Sequence, residues 1–356
     1  MTSNNKVPEK ACDLGRAFFH EVVRPAMEDI CPHLLSQAAC GRFGVGSECL
    51  GLDDAFSRDH HWGPRVDILL PEKVFTEQGQ DIYSKISERF PEEFRGFKLE
   101  AGLVGGSGLA PQSIESFLMS TVGLTKAPQS SREWLDIPEE DIIHVINGEV
   151  WHDGSGDFTR LRRTYQAYYP EPVWKRRIAH WCRYCSGMGL YPMRRALLRN
   201  NLCYAYTALA RTLKLTLELT FLLNRTYFPY DKWLYPTFQK LPRLAGELDP
   251  LIYEVTRPET PWSGRVELFE AMHDLLDADM VAQGIIRPHP KFQKSETSGY
   301  RLLEHAYAEL CRELPPNLLQ SIPQWNQIYF EMFHANSVAG LPEEDWHRAL
   351  DLKPLG

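Results

Sequence analysis

Apolar positions along the first third of the chain reach helical spacing only in places. Leu14, Phe18, Val22 and Val23 share one face of a helix expected over 10–38, which Pro25 interrupts or kinks. Gly41-Arg-Phe-Gly-Val-Gly46 then leads into a loop. Val66-Asp-Ile-Leu-Leu-Pro71 reads as a short strand closed by proline, 81–90 has helical spacing, and 98–104 is a second candidate strand. Gly105-Gly-Ser-Gly108 is a turn or flexible loop, and 113–119 looks helical. Ile142 to Ile146 is largely apolar and β-branched, with a turn at Asn147-Gly148 beside it.

Beyond Pro170 the pattern changes. The stretches 172–187, 191–224, 242–256, 264–283, 297–313 and 325–336 all accept helical patterns. Leu213 to Thr220 alternates with period two, as a half-buried strand would, yet Leu209, Leu213, Leu217 and Phe221 also fall at i+4 spacing. Its Ala-rich, helical surroundings favour helix. The expectation is an α+β domain over about 1–155 followed by a helical domain over 156–356, with the seam near 150–172 and no internal repeat.

Composition agrees with a folded two-domain chain. In 356 residues, 43% are hydrophobic, 24% charged and 12% aromatic, which excludes a disordered, collagen-like or coiled-coil protein. Thirty-nine Lys and Arg against 47 Asp and Glu leave a formal charge of −8, so a broad grip on nucleic acid is not expected and the partner is a small molecule. Met1-Thr-Ser-Asn-Asn-Lys has no apolar core or cleavage site, and the apolar run Leu213 to Leu223 is broken by Lys214 and Glu218. A cytoplasmic protein without a membrane span is expected. The eight cysteines are read as reduced thiols in the core. Cys182 and Cys185 are the one close pair, and a structural zinc site calls for a second such cluster.

The segment with most chemistry runs from Gly44 to Leu70. Gly46-Ser47 lets backbone amides and a hydroxyl approach phosphate oxygens, and carboxylates downstream could hold Mg²⁺ against the same phosphates. Asp53 and Asp54 read as turn residues. Gly46-Ser47 followed by Ser57-Arg58-Asp59-x-His61 resembles the nucleotidyltransferase signature of the DNA polymerase beta superfamily. The chain resembles more closely one branch of it, domain of unknown function family 4037. That likeness is carried by Ser57-x-Asp59-His60-x-Trp62-Gly63-Pro64-Arg65, by Trp134-Leu135 leading to Gly148-Glu149-Val150-Trp151-His152-Asp153, by Tyr168-Tyr169-Pro170 with Trp174 and Ile178-Ala179, and by Phe221 to Trp233.

The resemblance implies a small mixed-sheet nucleotidyltransferase-like domain, with a helical domain closing one side of a cleft, somewhat as in aminoglycoside nucleotidyltransferases. It implies metal-dependent transfer of a nucleoside monophosphate from an NTP to a hydroxyl of a small molecule. Gly46 and Ser47 would then meet the phosphates, with Arg65, Arg199 and Lys232 as further contacts, and Asp59 would hold Mg²⁺ or another divalent metal. The second acidic position is His61, which joins Asp59 as a metal ligand suited to a transition metal rather than Mg²⁺, with Asp67 on the next strand as a substitute at a different spacing. Glu149 is the candidate third carboxylate and Asp153 its fallback. Glu218 is either a general base or a solvent-facing charge. Lys175, Arg176, Arg177, Arg194 and Arg195 form basic clusters with Arg199, while Asn224, Tyr227 and Trp233 either line a pocket or pack a helix end. His61 also keeps two other readings open: a retired member that binds without turnover, and a biosynthetic enzyme using the imidazole as acid or base.

Overall fold

The computed structural model describes residues 10–58, 62–99, 108–288 and 303–319. They divide into two compact units. The first comprises the chain up to Pro128 together with Ile137–Ala167, and the second Gln129–Asp136 together with the chain from Tyr168. The protein is α+β, with a four-stranded mixed sheet in the first unit and helices in the second.

The first unit opens with α1 (Ala11–Phe18), which continues through a π-helical turn at Phe19–Val23 into α2 (Arg24–Ile30) and the single turn α3 (Pro32–Leu35). Pro25 directly follows the π-helical turn, which interrupts the regular α-helical hydrogen bonding where the proline has no N–H to give. Strand β1 (Ala39–Arg42) follows, where the glycine-rich sequence predicts only a loop. Gly41 explains the difference: a Cβ there would lie 2.0 Å from the Glu149 carbonyl, so this strand pairs closely because it lacks a side chain.

Next come β2 (Arg65–Leu70), α4 (Glu72–Ser87), the small hairpin β3 (Glu93–Phe94) and β4 (Phe97–Lys98), β5 (Gly108–Ser113) and α5 (Ile114–Val122). Helix α4 starts nine residues before the 81–90 expected from the apolar spacing. The expected strand over 98–104 is described only at its beginning; 100–107 lie outside the described residues, and Gly108 opens β5. The Ser113 hydroxyl caps α5 by accepting from the Ser116 amide at 2.9 Å, and Gly123 closes the helix with φ 73°. Helix α6 (Ser131–Asp136) belongs to the second unit.

The first unit resumes with α7 (Ile143–Ile146), β6 (Glu149–Asp153) and α8 (Asp157–Gln166). The apolar run over 142–146, strand-like in composition, is a single helical turn, and the strand starts only after Gly148. The sheet order is β5-β2-β1-β6, with β2 and β5 parallel and β1 antiparallel to both its neighbours. Val66, Ile68 and Leu70 send one face of β2 into a core with Leu14, Phe18, Phe19, Met27 and Cys40, which places Asp67 on the opposite face.

The second unit consists of α6, α9 (Glu171–Tyr184), a π-helical continuation at Cys185–Leu190, α10 (Tyr191–Leu197), α11 (Leu202–Leu223), α12 (Asp231–Phe238), α13 (Ala245–Thr256), α14 (Trp262–Ala282), α15 (Glu304–Glu313) and α16 (Pro316–Leu319). The period-two stretch at 213–220 is helical, within α11. The expected 191–224 helix is two helices. Asn200 takes φ 53° between them, and the Asn201 side chain caps α11 by accepting from the Tyr204 amide at 3.1 Å. The helix expected at 325–336 lies outside the described residues. Among the described residues no helix is long and apolar enough to cross a membrane.

Candidate functional site

Strand β1 ends in a tight turn that carries the Gly-Ser pair. Gly44 and Gly46 take φ 87° and 148°, and the turn closes where Leu50 N–H donates to the Gly46 carbonyl at 3.3 Å and Leu52 N–H to the Ser47 carbonyl at 2.8 Å. The φ of Gly46 favours glycine, and a Cβ there would also displace the Glu48 carboxylate, 2.3 Å away. Ser47 is buried and Val45 half-exposed at the rim of the turn.

Below the turn lies a charged network. Arg42, 3% exposed, pairs with Glu48 and reaches Asp67 Oδ2 at 3.4 Å. Asp67 Oδ2 also accepts from the Phe43 amide at 2.9 Å, and its Oδ1 accepts from Arg65 Nε at 3.0 Å and Nη2 at 2.9 Å. Burial alone would make the Arg42 guanidinium a stronger acid. The surrounding Asp67 and Glu48 outweigh it and raise Arg42 above its ordinary range, so the cation persists in the core.

Glu149 stands at the start of β6 in register with Arg42. Arg16 of α1 grips it through Nε at 2.8 Å and Nη2 at 2.6 Å, and Trp151 Nε1 donates to the same carboxylate at 2.8 Å. Partial burial opposes ionisation of Glu149, but these donors outweigh it and hold the carboxyl below the usual carboxylate range. Asp153 accepts from the Gly156 and Thr159 amides at 3.0 and 2.7 Å, which makes it the cap of α8. Asp53 accepts from the Ala11 amide and from Trp62 Nε1, both at 3.0 Å, and Asp54 holds the single turn at Ala55–Arg58 through Phe56 N and Ser57 Oγ.

Glu48, next to Ser47 in the turn, is thus linked to Arg65 through Arg42 and Asp67, and Glu149 is paired with Arg16. Asp59 and His61 lie outside the described residues. Arg199 and Lys232 belong to the second unit. Arg199 is exposed with Nη1 3.3 Å from the Arg195 carbonyl, and Lys232 is exposed with Nζ 5.1 Å from the Trp233 ring. Glu218 is buried rather than solvent-facing, accepting from Trp181 Nε1 at 2.8 Å. Asn224 ties the end of α11 to Arg243, and Tyr227 packs on Tyr168 and Tyr169, so both support the helical unit. Cys182 and Cys185 are buried, with Cys182 Sγ 3.8 Å from Met280 Sδ, and burial raises both thiols far above their usual range.

Among the described residues no group of three or more His, Cys, Asp or Glu side chains is placed to hold a metal. Both oxygens of Asp67 and of Glu149 already face arginines, so these carboxylates do not fit a divalent cation. The sequence reading missed Arg42, Glu48 and Arg16. The one available signal was the apolar-polar-apolar alternation that turns Asp67 away from the core.

Comparison with known proteins agrees in part with the family resemblance. A family model described as a domain of unknown function, DUF4037, is similar to residues 134–234, a stretch from α6 into α12 that includes Glu149 but begins well after the Gly-Ser turn. No curated protein matches the chain.

Proposed function

We propose that the first unit takes the phosphates of a nucleoside triphosphate against the Gly46-Ser47 turn and serves transfer of the nucleoside monophosphate to a hydroxyl of a small molecule. In that reaction the acceptor oxygen bonds to the α-phosphorus, pyrophosphate leaves, and the hydroxyl gives up its proton. The observation that carries the reading is the position of the turn. Small residues with left-handed backbone follow directly on a sheet strand, and two oriented arginines, Arg42 and Arg65, are anchored beneath it. Of these two, Arg65 is the more exposed, at 22% of its side chain, against 3% for Arg42. A divalent cation finds no site among the described carboxylates; Asp59 is the residue proposed to carry it.

A second reading, binding without turnover, is favoured by the arginines already neutralising Asp67 and Glu149. Calorimetric titration of the full chain, stripped of metal, with ATP, GTP, CTP and UTP in the presence and absence of Mg²⁺ separates the two. Binding that requires Mg²⁺ and is lost in Asp59→Ala supports transfer. Binding indifferent to both supports the second reading, and no binding of any nucleotide overturns both.

A further inference from the structure

The positive pole of a long helix in the second unit carries a positive side chain. Helix α14 runs for 21 residues, with no side chain capping its start at Pro261 and no acidic residue in its first turn. The earliest amide with a helical partner is that of Arg265, which donates to the Pro261 carbonyl at 2.9 Å. Among the described residues the Trp262, Ser263 and Gly264 amides therefore meet no acceptor. The Arg265 side chain turns back toward this end, and its Nη2 donates at 2.9 Å to the carbonyl of Arg257, in the segment just before α14. The guanidinium carbon lies 4.8 Å from the centre of the Trp262 ring and 5.9 Å from that of Tyr206, and the two rings are themselves 4.8 Å apart.

Arg265 is only 5% exposed, yet among the described residues no carboxylate forms an ion pair with it, and its Nε, closed off from solvent, has no acceptor. The acids of the preceding segment are taken elsewhere. Glu254 and Glu259 each pair with the exposed Arg257 at 3.4 Å, and Glu254 also accepts from Thr260 Oγ1 at 3.0 Å. A buried cation calls for a counter-charge, and so does the amino end of a helix; a cation at that end makes both demands at one place.

We propose that the start of α14 is a binding site for a phosphate group, held by the Ser263 and Gly264 amides and by the Arg265 guanidinium. First-turn amides, the hydroxyl of the exposed Ser263 and the planar fork of an arginine supply more donors than the two oxygens of a carboxylate use, and they suit a tetrahedral dianion. The half-buried Trp262 and the exposed Tyr206 offer ring faces beside it, on which a planar group carried by the phosphate would stack. The site stands whether or not the Gly46-Ser47 turn takes phosphates.

The test follows the amide resonances of the full chain during titration with inorganic phosphate and with AMP at constant ionic strength, in wild type, Arg265→Met and Ser263→Asp. Arg265→Met keeps a side chain over Trp262 without the charge, and Ser263→Asp puts the protein's own carboxylate at the helix start. The expected result is a saturable shift of the Ser263 and Gly264 amides in wild type, with affinity about tenfold weaker in Arg265→Met, and a comparable loss at Gly264 in Ser263→Asp. With that result, AMP binding about tenfold more tightly than phosphate would assign the group to a nucleotide stacked on Trp262, and equal affinities would assign it to the free ion. No saturable shift of these amides with either ligand overturns the proposal, and so do shifts confined to 44–50. Unchanged affinity in Arg265→Met overturns it too, or in Ser263→Asp should the first variant not fold.

Discussion

Two buried arginines, Arg42 of the sheet unit and Arg176 of the helical unit, are answered in opposite ways. In the sheet unit Arg42 meets two carboxylates, Glu48 and Asp67. In the helical unit the equally buried Arg176 donates to the Leu318 carbonyl at 2.7 Å, and Arg265 donates to the Arg257 carbonyl at 2.9 Å while lying 4.8 Å from the Trp262 ring. Acidity follows the partner. Burial brings Arg176 down to about 10, whereas the same burial on Arg42 is outweighed by its carboxylates. A carbonyl-bound cation ties two stretches of backbone together. A carboxylate-bound cation fixes a charged cluster in one orientation, as a binding site needs. Arg176 and Arg265 tie backbone together in the helical unit, as Arg162 does in the sheet unit, whereas Arg42 fixes a charged cluster beneath a turn.

This contrast can be broken by removing one cation from each unit. Arg42→Met leaves Glu48 and Asp67 buried with their shared cation gone and is expected to cost roughly 3–5 kcal/mol in urea unfolding. Arg176→Met frees one carbonyl and is expected to cost about 1–2 kcal/mol. Equal losses would mean that the carboxylates contribute nothing special.

A smaller effect sharpens the comparison through acid. Burial lowers His144 of the sheet unit and His180 and His273 of the helical unit to about 4. Each folded value lies below the unfolded 6.5, so the unfolded chain binds the extra protons. Their stabilisation is complete above about pH 6.5 and lost as pH falls toward 4, at roughly 3 kcal/mol per histidine. Thermal melts from pH 7 to 4 should show the decline, and His273→Phe should flatten it; an unchanged slope would remove His273 from the account.

The last effect has the opposite sign. Burial, assisted by Glu140, raises the Asp141 carboxyl to about 8, above its unfolded value, so its contribution is full below about pH 4 and lost as pH rises through 8. Asp141→Asn should therefore raise stability at pH 8, where the wild type bears the cost of ionising a buried carboxyl, and leave it unchanged at pH 4, read from urea midpoints.

Legibility in the sequence followed the range of the interactions. Strand β2 was readable because Val66, Ile68 and Leu70 alternate and Pro71 stops them, all within one element. Strand β1 was hidden because Ala-Cys-Gly-Arg has no β-branched residue and its pairing depends on β6, more than a hundred residues away. Residues 142–146 are too few for apolar periodicity to separate a helical turn from a strand. In the candidate site, Gly46-Ser47 stood out as local backbone chemistry. The Arg42 to Asp67 contact depends on the register that sets Gly41 opposite Asp67, and Glu218 is buried because Trp181, 37 residues earlier, supplies a donor. Neither fact is written in nearby residues.

Gly148 has a consequence of another kind. Two strands and a turn cross so closely there that even a methyl group would sit inside the Arg42 carbonyl. A saturation library sorted for folded protein should return glycine alone at this codon. The mildest exchange, to alanine, is the natural source of a temperature-sensitive allele, a genetic handle on a protein whose cellular task would then be read from what fails when the culture is warmed.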